Sequence, residues 1–308
     1  MPVTGQLGFK SESAWGTPVT VDTFHNGYVS DNPVVDQAPI VSNAIRGNRS
    51  TVACVSAGTR TVSGPLSLEL NPQPLATLLT HMFGTVDTAG TEAPYTHTAT
   101  PSTNDPEGFT SQVGIQGGGG TVFPFTYSGC RLTGWSLSAT AGEYATIGLD
   151  VIAKDYGTAT ALASASYGTF CPFSFVHGSI SVDGNELADV NSFTLAATIP
   201  RRVKHGVGGS LIMEPRLNGD RSFEITAEVE FEDLVLHNLA NTQVETILTF
   251  DNGSETFTIT TNTWVNPSTP NTASGDSENT YTFTGMCMGD TDGDAITAVL
   301  VNDESSAA

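Results

Sequence analysis

The sequence predicts a mainly β protein, an antiparallel β-sandwich carrying two short helices, and three observations lead there. Thr, Gly, Ser, Ala and Val are the commonest residues, and apolar and polar residues alternate with period two along many short runs. Turn dipeptides of the hairpin type separate these runs. Helical periodicity occurs in only two places, each directly behind a strand of the same design.

Along the chain, Val62–Leu70 reads as a strand, and Pro74–Phe83 reads as a helix ended by Gly84. Arg131–Ala139 is β-rich, although Leu132 and Leu137 fall on opposite parities. Tyr144–Ile152 alternates cleanly, with Ala145, Ile147, Leu149 and Val151 on one side. Asn191–Ala197, Thr256–Thr260 and Thr280–Thr284 repeat the pattern. Asp183-Gly184, Asn218-Gly219 and Asp251-Asn252-Gly253 mark turns. The strand from Ser222 to Glu232 places Phe223, Ile225, Ala227, Val229 and Phe231 on one face and Glu224, Thr226, Glu228, Glu230 and Glu232 on the other. One apolar and one charged face belong to an antiparallel sheet packed on a core, with its other side wet. Asp233–Leu239 is the second helix, with Asp233 in N-cap position.

The chain has 308 residues, with 32 Asp and Glu against 11 Lys and Arg, a formal net charge of −21. This length suits one large domain or two smaller ones and buries about three quarters of the unfolded surface. The charge disfavours binding nucleic acid through its phosphates or an anionic membrane. Met1–Gln6 has neither a basic segment nor an apolar stretch, so no secretory signal is expected, and no apolar run reaches the length of a spanning helix. Cys54, Cys130, Cys171 and Cys287 form no CxxC pair, so they are expected reduced and buried, consistent with assembly in a cytoplasm.

Sliding the chain on itself by 161 residues aligns Gly58–Leu79 with Gly219–Ala240: Arg60 meets Arg221, Leu68 meets Val229, Glu69 meets Glu230 and Leu75 meets Leu236. A weaker echo at 137 pairs Tyr144, Gly148, Leu149 and Val151 with Tyr281, Gly285, Met286 and Met288. The expectation is an internal duplication, with a first β unit at 1–156 and a second at 157–308. Within the second, 200–221 stands apart. It holds Arg201, Arg202, Lys204, Arg216 and Arg221, five of the eleven basic residues, around the apolar island Leu211-Ile212-Met213. Scarce cations beside an apolar island read as an arm reaching a neighbouring subunit's carboxylates.

Catalytic chemistry is thin. The six histidines show no HxxxH or HExxH spacing, and there is no nucleophile elbow, P-loop or GxGxxG before a helix. Gly117–Gly120 reads as a flexible turn. Asp290-Thr291-Asp292-Gly293-Asp294 has its glycine in the fourth place and Val301 in the twelfth, which excludes an EF-hand and leaves at most a weak cation turn. The Asp105/Glu107 pair says nothing of spatial separation, and Trp15, Trp135 and Trp264 are too dispersed for a sugar platform. No enzyme, cofactor or metal is expected.

Several phrases occur in a telling order: Gly8-Phe9-Lys10-Ser11-Glu12-Ser13-Ala14-Trp15-Gly16-Thr17-Pro18, then Val41–Arg49 with basic residues behind Ser42-Asn43, then Val62–Leu70 with its helix. Tyr127-Ser128-Gly129-Cys130-Arg131 follows, with Gly142-Glu143 behind it, and late in the chain Phe231-Glu232-Asp233. Together they resemble the tail tube (major tail) proteins of long-tailed, non-contractile bacteriophages. One departure is Ala44, where that family often has Glu. The resemblance implies a β-sandwich or split barrel with a flanking helix in each unit. It implies a structural virion protein, made in the host bacterial cytoplasm, whose subunits close into rings by a continuous β-barrel. The rings stack into a hollow conduit for DNA ejection and meet tape-measure, tail terminator and tail tip proteins. Two units per chain would make the ring a trimer with pseudo-six-fold symmetry rather than a hexamer. A like-charged wall lets DNA slide, so Glu69, Glu228 and Glu230 are expected to face the lumen, with Arg201, Arg202, Lys204, Leu211, Ile212, Met213 and Arg216 between subunits. The competing readings are a capsid decoration or fibre-type β-sandwich, a contractile-type injection tube, and a carbohydrate-active β-sandwich enzyme.

Overall fold

The structure, a computed structural model, describes residues 5–43, 47, 54–169, 171–187, 189–268, 279–289 and 294–305. The first half runs β1 (Gly5–Ser11), β2 (Thr23–His25), β3 (Tyr28–Asp31), β4 (Val34–Asp36), a ribbon of β5 (Pro39–Val41) and β6 (Val55–Ala57), β7 (Thr61–Glu69) and helix α1 (Leu75–Phe83). It continues with β8 (Gly84–Ala89), β9 (Tyr95–Pro101), β10 (Phe109–Gln116), the long β11 (Val122–Thr140), β12 (Thr146–Ala153) and β13 (Asp155–Gly157). A connector ending in one 3-10 turn (Phe175–His177) leads to β14 (Gly178–Val182), β15 (Asn185–Glu186), β16 (Val190–Thr198) and a second ribbon of β17 (Arg201–Arg202) and β18 (Arg216–Leu217). Then come β19 (Ser222–Glu230), helix α2 (Val235–Asn238), β20 (Gln243–Asp251), β21 (Thr256–Val265), β22 (Thr280–Cys287) and β23 (Ile296–Asn302).

Every ladder is antiparallel. One layer is a continuous run β7–β12–β11–β16–β19–β22, with β3 and β4 on the outer edge of β7. The other layer holds β2–β1–β10 on the first part of β11, and β14–β20–β21–β23 of the second half, extended across the β23–β9 ladder by β9 and β8 of the first half. The core lies between the layers. Phe193 of β16 meets Phe250 of β20 at 5.7 Å between ring centroids, and Trp135 of β11 meets Phe83 at the end of α1 at 5.4 Å.

The alternation read from sequence sets these faces. Along β19, Phe223, Ile225, Ala227 and Val229 are buried and Glu224, Glu228 and Glu230 are exposed. The opposite parities of Leu132 and Leu137 have a physical answer: the ladder with β12 shifts by one residue between Leu132 and Gly134. That bulge returns Leu132, Trp135 and Leu137 to the core, each 2 % exposed or less. Helix α1 ends where expected, on Gly84 at φ 105, a conformation that glycine adopts without strain. Asp183 and Gly184, both at positive φ, turn β14 into β15, and Gly253 closes the β20–β21 hairpin. Asn218-Gly219 instead leads from the second ribbon into β19.

Three expectations are corrected. Helix α2 is a four-residue turn rather than Asp233–Leu239, although Asp233 Oδ1 does accept from the Val235 amide at 2.8 Å. Cys130 and Cys287 are buried, but Cys54 and Cys171 are exposed, and all four are free. The echo at 137 fails on parity. Glu69 pairs with Thr146 and Glu230 with Thr280, so the ladders equate β12 with β22 at an offset of 134. At 137, buried Leu149 would match Met286, which is 48 % exposed. Met1–Thr4, Ala44–Arg46, Asn48, Arg49, Asp290–Gly293 and Ser306 lie outside the described residues.

The correspondence at 161 extends well beyond side-chain identity. Strands β7 and β19 begin and end 161 residues apart. The ribbons pair in the same register: Pro39 faces Ala57 in the first, and Arg201 facing Leu217 in the second repeats Ile40 facing Ser56. A register shift between Tyr28 and Ser30 on β7 recurs between Val190 and Ser192 on β19. Single bonds recur too, Glu69 N to Gly27 O with Glu230 N to Asp189 O, and Leu70 N to Ala145 O with Phe231 N to Asn279 O.

Burial also sets a pH response. His25 and His81 are buried, and loss of solvent lowers both to about 4, helped at His81 by the charge of Arg131. The unfolded chain therefore takes up protons between pH 6.5 and 4 that the fold refuses, and stability falls as pH drops through that window, by about 3 kcal/mol for each imidazole. Glu304, raised by burial to about 7, works in the opposite sense and offsets part of this. Urea titrations are expected to show a net loss between pH 6.5 and 4, and His81→Gln is expected to remove about half of the histidine contribution. An unchanged pH slope in His81→Gln contradicts this account.

Candidate functional site

Two surfaces concentrate the unusual chemistry: the wet face of the long sheet and the second ribbon. On the wet face, Asp36, Glu69, Asp150, Glu224, Glu228 and Glu230 stand among Ser, Thr and Gly. The segments 61–69, 134–140, 146–150, 192–198, 222–230 and 280–286 that build it contain no Lys or Arg. Cross-strand neighbours keep the like charges apart. Glu228 lies between Ser192 and Thr282, Glu224 between Ala196 and Met286, and Glu69 beside Thr146. Glu69 is half-buried, while Glu228 and Glu230 are exposed. Four strand spacings separate β7 from β19, about 19 Å, so the sequence-expected carboxylates share one face without forming a cluster. Among the described residues there is no group of three His, Cys, Asp or Glu placed to hold a metal.

The second ribbon docks on the first half of its own chain. Arg201 has a side chain only 2 % exposed, donates to the Leu132 carbonyl, and pairs with Asp105 at 2.7 Å. Arg131 bonds Glu214 and lies 3.4 Å from the same Asp105. The Arg60 amide donates to Ser210 O at 2.7 Å, Arg221 reaches the Phe83 carbonyl at 2.6 Å, and Ile212 is buried. The sequence reading puts these cations between chains; the structure commits Arg201 and Arg221 within one. Arg202, Lys204, Met213 and Arg216 remain exposed and Leu211 half-buried. Asp105, considered with Glu107 as a carboxylate pair, is instead the counter-charge of this junction.

The sequence phrases also gain a cause. Glu12, 1 % exposed, accepts from Thr110 Oγ1 and the Gly129 amide through Oε1, both at 2.8 Å, and from the Gly16 amide through Oε2. Trp15 Nε1 donates to Gly129 O at 3.0 Å, and Lys154 lies over its ring. Gly129 needs its φ of 63, and a Cβ there would meet Lys154, Trp15 and Gly16. The opening phrase and the Tyr-Ser-Gly-Cys-Arg phrase are thus two sides of one buried contact. Sequence reasoning quoted Glu12 and Gly129 without seeing that they touch.

A cleft of about 230 Å³ beside α2 is lined by Glu186, Asp189, Glu230, Phe231, Leu236 and Tyr281. At the corresponding place in the first half, the connector's Phe173, wholly buried, takes Leu70 O and gives its own carbonyl to Ala145 N. The cleft is therefore a gap that the first half fills with chain.

Breaking the ribbon junction by Asp105→Asn leaves Arg201 and Arg131 without their shared counter-charge. It is expected to cost about 3 kcal/mol, whereas Arg202→Ala at an exposed position is expected to change stability by about 0.5 kcal/mol or less. Denaturant titration of both variants checks this, and equal effects refute it.

No curated protein matches the chain. The family model for the phage tail tube protein matches residues 3–287, nearly the whole chain, and the chain belongs to that family.

Proposed function

We propose that copies of this chain close head to tail into rings and that the rings stack into the hollow tube of a long, non-contractile phage tail. Family membership makes the chain a structural component of the virion tail that assembles with itself. The finer reading concerns what the tube does. The observation that carries it is the wet sheet face, six strands wide, with carboxylates and no cation in the segments that build it. A basic wall would bind duplex DNA by releasing counterions, and an acidic one repels phosphate and keeps the duplex centred. Glu69, Glu228 and Glu230 then point into the lumen, and the genome leaves along it without specific binding.

The recurrence of strands, ribbon register, bulge and single hydrogen bonds between the halves supports the reading of one tube unit written twice. Three copies then supply six equivalent segments, a trimer with pseudo-six-fold symmetry. Tape-measure, tail terminator and tail tip proteins are the partners at its ends, and assembly takes place in the host bacterial cytoplasm.

Electron microscopy of the purified chain tests this reading. Hollow tubes are expected, with three chains per ring in a symmetry-resolved reconstruction and Glu228 and Glu230 on the inner wall. Six chains per ring, or those residues on the outside, sink the corresponding part, and dispersed particles without a channel favour a decoration or fibre protein. The double variant Glu228→Lys/Glu230→Lys is expected to assemble yet retain duplex DNA in a salt-dependent way. Tubes of this variant that bind no more DNA than wild type contradict the electrostatic role.

A further inference from the structure

The two ribbons are built alike and are used differently. At the ladder offset of 161, Ile40, Val41 and Val55 of the first correspond to Arg201, Arg202 and Arg216 of the second. The second is seated: Arg201 is buried on Asp105 and on the Leu132 carbonyl, and Glu214 holds Arg131. The first is bare. Ile40 is 62 % exposed, Val55 58 % and Val41 39 %. Lone exposed apolar residues need no explanation, but three on one short ribbon whose counterpart is docked do.

The seat tells the same story. In the first half, Arg131, held by Glu214 of the second ribbon, and its ladder partner Ile152 are 6 % and 4 % exposed. The ladders equate Ile152 with Met286 and Arg131 with Met286's own partner, Trp264. Among the described residues nothing covers that place: Met286 is 48 % and Met288 37 % exposed, and Trp264 is half-buried. The chemistry changes together on both sides. Within the chain, the ribbon's Arg201 meets Asp105 of the seat and its Glu214 meets the seat's Arg131. The unused pair is an apolar ribbon and an apolar seat.

We propose that ribbon β5–β6 docks on a second copy of this chain, on the Trp264–Met286–Met288 face of that copy's second half, as β17–β18 docks on the first half of its own chain. The inference rests on the self-assembly reading above and names the surface through which it occurs. Ribbon and seat lie at different places on the molecule, so the contact is head to tail and one chain offers both sides. The internal junction is its template, with hydrophobic contact replacing the ion pairs.

The test uses full-length chains in which exposed Cys54 and Cys171 are changed to Ser. One preparation carries Ile40→Cys and another Met286→Cys; they are mixed, allowed to assemble and treated with a short bis-maleimide. A covalent dimer is expected in the mixture and not in either preparation alone. Assembly without that dimer overturns the docking but leaves the tube reading intact; a wild-type chain that never self-associates overturns both. A second measurement needs no cysteine. Ile40→Asp, at the position of buried Arg201, is expected to raise the concentration needed for assembly by on the order of tenfold or more, with an unchanged melting temperature. Hydrogen exchange of the wild-type chain is expected to slow at 39–43, 54–57 and 284–288 on assembly. Unchanged exchange at these segments, or normal assembly of Ile40→Asp, overturns the proposal.

Discussion

The rest of the structure depends on one strand serving two sheets. The first part of β11 pairs with β10 and β13 in one layer, and its last part pairs with β12 and β16 in the other. The bulge between Leu132 and Gly134 lets it pass between layers while Leu132, Trp135 and Leu137 stay in the core. Its ladder with β16, from Gly134–Thr198 to Thr140–Ser192, joins the two halves edge to edge. The β9–β23 ladder joins the halves in the other layer, and without the β11–β16 ladder the acidic face would be two patches instead of one continuous face.

Electrostatics is divided between these surfaces in a way the net charge conceals. Carboxylates on the wet face sit beside uncharged residues (Ser192, Thr282 and Thr280, Ala196 and Met286, Thr146), so none opposes another across strands. At the ribbon junction, Asp105 is shared by Arg131 and Arg201, and a largely buried charge group of this kind fixes one docking geometry more than it adds stability. Of the sparse cations, Arg131, Arg201 and Arg221 are engaged with carboxylates and carbonyls of the other half.

Much of the fold was legible because period-two alternation is a local property. The faces of β12, β19, β21 and β22, the end of α1 at Gly84 and the hairpin turns follow from side-chain order alone. The misreadings have one cause. The echo at 137 compared residue types without a ladder, and a shift of three residues reverses every side chain. The exposure of Cys54 and Cys171 likewise depends on what covers a residue, which composition does not encode.

By itself, the sequence determined the fold class, the two-faced acidic strand, the recurrence at 161 and, through short ordered phrases, the family. Each of these is written in neighbouring residues or in their order. Only the tertiary structure decided that Glu12 and Gly129 touch, that the cationic ribbon turns back on its own chain, and that its apolar counterpart is left bare. Those facts concern residues tens to more than a hundred positions apart, brought together by strand register and burial. A charge or an apolar side chain acquires a partner only when the fold places one beside it.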